Sequence, residues 1–150
     1  MSLSYDIIGN IILLNKKISK SQANQLLKKH KHVKTVAYKS EPHKGKFRLK
    51  RVQIIAGKKN KETIHKENNV LLKLDIEKCY FTSRLSEERK RIASLVKPGE
   101  EVLVLFSGVA PYPLVIAKNS LARSIYAIES NPVAHKYAQE NLKLNKSLKF

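Results

Sequence analysis

An alternation of strands and helices between Glu101 and Asn145 leaves few folds open to this 150-residue chain. Glu101–Phe106 has the continuous apolar character of a buried parallel strand, and a turn of small residues follows it. The later residues predict a short helix at Pro111–Lys118, a second strand at Ser124–Ile128 and a second helix at Pro132–Leu144. This order is typical of an α/β domain in which helices cover a parallel sheet.

The turn and the end of the second strand are the parts of this unit that could hold a ligand. Backbone N–H groups of the turn Phe106–Val109, which contains Ser107 and Gly108, can approach a ligand at the N-terminus of the next helix. Glu129, about twenty residues later, can accept hydrogen bonds from the ribose hydroxyls of an adenosine cofactor. Nicotinamide-dependent enzymes, methyltransferases and ligand-free domains share such a unit, and in another interpretation Glu129 only caps the helix that follows.

The first half of the chain predicts a small α+β module over residues 1–81. Tyr5–Leu14 reads as one strand with a bend at Gly9, and Ser19 begins a capping box before a helix of about ten residues. The polar segment Glu62–Asn69 fits either a strand or a loop. Further strands are predicted at Val33–Tyr38, Arg51–Ala56 and Val70–Asp75.

A helix over Ser86–Val96, within residues 82–100, is predicted to connect the two parts. Ser86 is expected to be its N-cap. Arg89 and Arg91 are expected to point away from its apolar face, which would consist of Leu85, Ile92, Leu95 and Val96.

Positive charge indicates a polyanionic partner. Lys and Arg total 30 against 12 Asp and Glu, a net charge of +18. Between Lys16 and Lys61 the only acidic residue is Glu41, so the basic surface belongs to the first half. A thermophilic composition would enrich Glu together with Lys, which is not observed, so the charge favours nucleic-acid binding.

Other protein classes find little support. No run of apolar residues approaches the roughly 18–20 needed to span a membrane, and no secretory signal begins the chain. Cys79 is the only cysteine, so we expect no internal disulfide and a cytoplasmic location. The five histidines are scattered, and we predict no metal site.

Three blocks of sequence together resemble the archaeal and eukaryotic tRNA (guanine37-N1)-methyltransferase family and its wybutosine-pathway relatives. The first block is Tyr5-Asp-Ile-Ile-Gly9. The second begins at Glu62-Thr-Ile-His-Lys-Glu67 and continues to Arg84-Leu-Ser-Glu-Glu-Arg89. The third is Val104-Leu-Phe-Ser-Gly-Val-Ala-Pro-Tyr112, followed by Tyr126-Ala-Ile-Glu-Ser-Asn-Pro132 and Glu140-Asn-Leu-Lys-Leu-Asn-Lys146. Their order and spacing cover nearly the whole chain.

The resemblance implies a small α+β module followed by the start of a Rossmann-like class I methyltransferase domain at residues 101–150. It implies S-adenosylmethionine as cofactor and the anticodon arm of tRNA as partner. Arg84 would be catalytic and stabilise negative charge that develops on the guanine as N1 loses its proton. The implied cofactor-binding residues are Arg89, Phe106, Ser107, Gly108, Val109, Glu129 and Ser130. Without the resemblance, Arg84 and Arg89 would be read as solvated helix charges.

The chain also departs from the family pattern. Val104 stands where Asp is common, and Ala110 replaces the second glycine of the turn. The family's later adenine-contacting Asp and its Asn-Pro-Pro motif have no counterpart in these 150 residues. We therefore expect these residues alone to be inactive, with a second polypeptide as one source of the remaining catalytic domain.

The leading interpretation is a tRNA methyltransferase that transfers a methyl group to N1 of guanine 37. One alternative transfers the 3-amino-3-carboxypropyl group of the same donor, as wybutosine-pathway relatives do. Another is a tRNA-binding fragment without catalysis.

Overall fold

The computed structural model describes residues 3–42 and 45–146. The first half forms a four-stranded sheet in the order β1-β2-β3-β4, in which β2 and β3 are parallel and the other pairs antiparallel. The helix α1 crosses between β2 and β3 and packs on β3 and β4. The bounds are β1 Tyr5–Ile8, β2 Ile11–Leu14, α1 Lys20–Lys29, β3 Thr35–Lys39 and β4 Val52–Gly57.

The prediction of one bent strand over Tyr5–Leu14 is wrong, because this segment forms the β1–β2 hairpin. Gly9 adopts a left-handed φ of 55° in the turn. A Cβ at Gly9 would overlap the Thr63 hydroxyl and the Ile64 carbonyl, so the turn docks closely on the next part of the chain. The ten-residue helix after Ser19 is confirmed, and both hydrogen bonds of its capping box with Gln22 are present.

The ambiguous segment Glu62–Asn69 contains a strand. β5 Glu62–Glu67 pairs antiparallel with β6 Val70–Asp75, and the two asparagines between them have φ values of 43° and 63°. Positive φ at both central positions is the requirement of a type I′ hairpin turn, which asparagine tolerates well. The backbone groups on the free edge of β6 form hydrogen bonds with two side chains at the end of the last helix. The Asn141 side chain bonds the N–H and C=O of Lys73, and the Asn145 side chain bonds the N–H and C=O of Leu71.

The last part of the described chain contains the predicted α/β unit. Parallel strands β7 Glu101–Leu105 and β8 Ser124–Ile128 are joined by α3 Pro111–Asn119, and α4 Pro132–Leu144 follows. Asn131 caps α4 as predicted by accepting hydrogen bonds from Val133 and Ala134. The mixed α/β fold class is confirmed.

Only one face of β7 is partly buried among the described residues. Its side chains alternate, with Leu103 and Leu105 more than half exposed, and Tyr126 and Ile128 of β8 are equally open. Among the described residues, helices cover only the opposite face of this strand pair, where Val102 packs into the core.

The connecting helix differs from the prediction in two details. α2 is Ser86–Leu95, preceded by a 3-10 turn at Ser83–Leu85, so Ser86 is its first helical residue and Leu85 occupies the N-cap position. Leu95 is exposed, whereas Arg89 is only 2% exposed. The Arg89 side chain of this helix points inward because it pairs there with Glu67 of β5.

One large apolar core spans both halves of the molecule. It includes Ile8 and Leu13 from the first sheet, Leu72 from the β5–β6 hairpin, and Leu114 and Ala134 from the last two helices. A smaller core lies between α1 and the other face of the first sheet. The bounds 1–81, 82–100 and 101–150 stay a prediction, because the hairpin contacts both parts.

Candidate active site

The turn after β7 is held in a strained conformation. Phe106, Gly108 and Ala110 have φ values of 54°, 58° and 68°, in the left-handed region that residues other than glycine rarely adopt. The N–H of Ser107 donates to the Ile128 carbonyl, and α3 begins at Pro111, whose missing N–H suits the first helical position. The turn therefore lies where the carboxyl ends of the two parallel strands meet.

Glu129 joins this turn to the start of α4. Its Oε2 accepts a hydrogen bond from the Gly108 N–H, and its Oε1 accepts one from the Asn131 N–H, both at 2.6 Å. The Asn131 side chain caps the helix itself and also donates to the Lys78 carbonyl. The capping interpretation of Glu129 is therefore incomplete, because its carboxylate fixes both loops beside the cavity described next.

A cavity of about 410 Å³ opens between the turn, Glu129 and the basic first module, and we call it the large cavity only to distinguish it from a smaller one beside it. That volume lies within the range of small-molecule sites in proteins. The guanidinium of Arg48 lies 5.1 Å from the centre of the Tyr80 ring at this cavity. The lining residues come from four segments: Lys46–Arg48, Tyr80–Leu85 with Arg89, Phe106–Tyr112, and Glu129–Ala134.

Arg89 reaches the cavity from a buried ion pair. Its Nε and Nη2 donate to the two carboxylate oxygens of Glu67 at 2.5 and 2.7 Å, and Nη2 also donates to the Thr82 carbonyl. The guanidinium lies 5.2 Å from the Phe81 ring centre and 5.8 Å from that of Tyr112. Arg89 is therefore not the solvated helix charge that it would be read as without the family resemblance, and its orientation is fixed by groups from three segments.

A histidine completes this network. The Nε2 of His65 lies 3.4 Å from the Glu67 carboxylate, while its Nδ1 accepts a hydrogen bond from the Gly9 N–H. Burial raises the pKa of Glu67, but hydrogen bonds from His65 and Arg89 outweigh it and hold that pKa below the ordinary value. Glu67 therefore carries its charge when it meets Arg89.

Six of the eight predicted site residues line the large cavity: Arg89, Phe106, Ser107, Gly108, Glu129 and Ser130. Val109 belongs to the same turn, but its side chain is buried in the core. Arg84 borders a smaller adjoining cavity, where its Nε donates to Asp6 at 2.7 Å. The roles assigned to all eight residues stay predictions.

Sequence reasoning assigned no role to several residues that shape this site. Glu67 and His65 lie within the second family block, but only their contact with Arg89 reveals what they do. Tyr112 follows the predicted turn by a few residues and borders the cavity. Alternation along β5 would not have indicated that Glu67 is buried, because the apolar Ile64 lies on the opposite, exposed face of the strand.

Other kinds of site are not found in the described part of the chain. Residues 3–42 and 45–146 contain no group of three or more His, Cys, Asp or Glu side chains placed to hold a metal ion. Burial raises the pKa of the Cys79 thiol to about 12, so this cysteine is unreactive at neutral pH. No helix over the same residues combines the length and apolar character needed to cross a bilayer.

Comparison with known proteins identifies relatives across the chain. The model of the TRM5/TYW2 methyltransferase domain matches residues 63–149. A Nanoarchaeum equitans protein named tRNA (guanine(37)-N(1))/4-demethylwyosine(37)-methyltransferase Taw22 is 42% identical over 96% of this chain and 49% of its own length. A Methanocaldococcus jannaschii protein named tRNA(Phe) (4-demethylwyosine(37)-C(7)) aminocarboxypropyltransferase is 37% identical over 97% of this chain and 58% of its own length.

Solved structures agree with these sequence matches. The structure of aTrm5 in complex with tRNALeu superposes with a TM-score of 0.86 and 36% identity, over 97% of this chain and 44% of that one. The structure of M. jannaschii TYW2 with AdoMet gives a TM-score of 0.69 and 32% identity, over 95% of this chain and 52% of that one. The chain spans about half the length of these relatives. Because the family model covers residues 63–149, more than half of the sequence, the chain belongs to the TRM5/TYW2 methyltransferase family.

Proposed function

We propose that this chain forms part of an S-adenosylmethionine-dependent tRNA methyltransferase that transfers a methyl group to N1 of guanine 37 in the anticodon loop. The observation that carries the proposal is the large cavity, in which the Gly108 turn and Glu129 face the basic loop Lys46–Arg48. A turn and a carboxylate that suit an adenosine cofactor thus border the same cavity as a basic loop, in a member of this family.

The residues at the cavity suit an adenosine cofactor. Each oxygen of Glu129 accepts one backbone N–H, and a carboxylate oxygen can accept more than one hydrogen bond, so both remain able to accept from ribose hydroxyls. We assign the ribose to Glu129 and Ser130, the methionine portion to the turn Phe106–Val109, and a donor contact to Arg89. S-adenosylmethionine, when bound, supplies a methyl group on a positively charged sulfur.

The work left to the protein is alignment and removal of a proton from N1. We assign Arg84 to the guanine, where its positive charge would stabilise the negative charge that develops on the base. Its side chain is 59% exposed and anchored to Asp6, so a guanidinium is available next to the large cavity.

The basic module suits the phosphates of the tRNA anticodon arm. Lys28 and Lys29 lie in the last turn of α1. The N–H of Lys58 donates to the Lys34 carbonyl, which brings together two basic residues from just before β3 and just after β4. Such a surface releases counterions on binding and makes affinity steeply dependent on salt.

Labelled donors test the proposal and its alternatives. The native protein is incubated with a tRNA transcript and S-adenosylmethionine labelled in the methyl group, then with donor labelled in the aminocarboxypropyl group. We expect label from the first donor only, and its loss when guanine 37 is replaced by adenine. Label from the second donor alone would establish the aminocarboxypropyl alternative, which rests on the 37% identity to the M. jannaschii transferase. Salt-sensitive tRNA binding without cofactor binding would establish the non-catalytic alternative.

A substitution at Glu129 tests the cofactor assignment. Glu129→Gln keeps the shape but removes the charge, and we expect a loss of about 1.5–3 kcal/mol in S-adenosylmethionine binding, about ten- to a hundredfold in affinity. Isothermal titration calorimetry measures it, with Glu101→Gln on the exposed end of β7 as control. Equal affinities for the two variants would contradict the assignment.

The exposed face of β7 and β8 points to further polypeptide in the catalytic domain. Leu103, Leu105, Tyr126 and Ile128 form an open apolar surface beside Phe106, which is 86% exposed. We assign this face to packing against polypeptide of the same domain, with a second polypeptide as one source. Light scattering on the native protein gives the mass of the assembly.

The cytoplasm is the proposed location, since tRNA modification and a lone buried cysteine suit it.

A further inference from the structure

Lys50, just before β4, is a buried lysine that the proposed reaction does not use. It is only 7% exposed and borders a cavity of about 170 Å³. Within residues 3–42 and 45–146, its ammonium group has no hydrogen-bond acceptor or ion-pair partner. Because no fully buried side-chain nitrogen of the described residues lacks a hydrogen-bond partner, the ammonium group must open to solvent through this cavity, where it is accessible to an anionic ligand.

The other charged groups at this small cavity are mostly positive. Lys39 donates to the Asn15 side chain at 2.8 Å, and Arg84 donates to Asp6 at 2.7 Å. Three cations, Lys39, Lys50 and Arg84, therefore face one carboxylate, Asp6. Burial and the charge of Lys39 lower the pKa of Lys50 to about 8, with Asp6 partly opposing them. The charged groups that line this cavity therefore have a net positive charge.

The position of the small cavity suggests which anion fills it. Tyr80, Phe81 and Thr82 border both this cavity and the large one, so the two are separated by a single segment of chain. A backbone phosphate and the base of a neighbouring nucleotide are separated by a comparably short stretch of RNA. A tetrahedral phosphate also offers acceptors in several directions, as ammonium groups from two segments require.

We propose that Lys39 and Lys50, in the cavity that Arg84 also borders, bind one backbone phosphate of the RNA, adjacent to the nucleotide whose base enters the large cavity, while Arg84 stays assigned to the guanine. The inference rests on the proposed function, since it needs an RNA substrate. It adds a discrete subsite that sets the register of the RNA, distinct from the diffuse attraction of the basic surface.

Neutral linkages in the RNA test this subsite. Anticodon stem-loops are prepared with one methylphosphonate at each position in turn, and affinity is measured by fluorescence anisotropy for the wild-type protein, Lys50→Met and the exposed control Lys90→Met. We expect the wild type and the control to lose about tenfold at one linkage beside the target nucleotide. Lys50→Met loses about as much on unmodified RNA, with no further loss at that linkage.

The salt dependence gives an independent comparison. One lost phosphate contact lowers the slope of log affinity against log salt by about 0.7 for a single strand, and we expect this in Lys50→Met but not in Lys90→Met. Equal slopes and the same sensitive linkages in all three proteins would overturn the phosphate subsite while leaving RNA binding intact. Absence of RNA binding by the wild type would overturn the proposed function as well.

Nitrogen-detected NMR of lysine side chains tests the wild-type protein without any substitution. We expect the stem-loop to raise the pKa of Lys50 above its free value of about 8. Inorganic phosphate is the second probe. A Lys50 signal that responds to inorganic phosphate but not to the stem-loop would overturn the proposal and indicate a site for a small phosphate compound.

Discussion

Replacing Glu67 with glutamine is expected to lower the free energy of unfolding by about 3–5 kcal/mol, the usual cost of removing one partner of a buried ion pair. The substitution keeps the size of the side chain but leaves the guanidinium of Arg89, 2% exposed, without its counter-charge. Since Arg89 also borders the large cavity, cofactor affinity should fall together with stability. Urea unfolding at pH 7 measures the first effect and calorimetric titration the second.

Two further variants make this prediction specific. Glu88→Gln removes the partner of Arg91 in an exposed pair on α2, and we expect little change. Replacing Glu67 and Arg89 together with leucine and methionine should recover much of the lost stability, because no buried charge then lacks a partner. An equal loss in Glu67→Gln and Glu88→Gln would refute the role given to the buried pair.

Acid should weaken the same ion pair. The pKa of Glu67 is lower in the folded protein than its unfolded value near 4.5, so its contribution is complete above pH 4.5. As the pH falls through the lower folded value, the folded state takes up the proton and the contribution disappears. Glu67→Gln should lack this component of the acid transition, which unfolding curves between pH 5 and pH 3 would detect.

Lys50→Met is expected to stabilise the free protein by up to about 3 kcal/mol at pH 7, which would identify Lys50 as kept for function. The pKa of Lys50 falls from 10.5 to about 8 on folding, and each unit corresponds to about 1.4 kcal/mol. Below pH 8 both states carry the proton and the full cost of burying the charge applies. Between pH 8 and pH 10.5 the unfolded state binds more protons, so wild-type stability should rise with pH.

Unfolding at a series of pH values compares the three proteins. Lys50→Met should be more stable than the wild type at pH 7, and the difference should shrink toward pH 10.5. Lys90→Met, an exposed change on α2, should follow the wild-type curve. A Lys50→Met protein that is less stable than the wild type at pH 7 would contradict the predicted cost of burial.

The sequence predicts the local elements of this fold well. The capping box at Ser19 predicts α1, and the apolar run Val70–Asp75 corresponds to β6 residue for residue. The capping asparagine and the proline after it locate the start of α4. These predictions succeed because the interactions that decide them join residues a few positions apart.

The candidate site was predictable where it depends on the same local unit. The turn at Gly108 and Glu129 lie at the carboxyl ends of two adjacent parallel strands, which any such unit brings together. The family blocks add Arg89 to this group, and the cavity includes it. The Arg84 role and the bounds of the domains stay predictions.

What only the tertiary structure decided involves partners that are distant in the sequence. Arg89 looks like a solvated helix charge until Glu67, 22 positions earlier, meets it in the core. The burial of Lys50 depends on packing of the first sheet against residues near Tyr80. The sequence by itself therefore determined α1, β6 and the last α/β unit, the basic charge and the family. The environment of each buried charge was decided by long-range packing, because the free energy of a charge depends on groups that only the folded chain brings within reach.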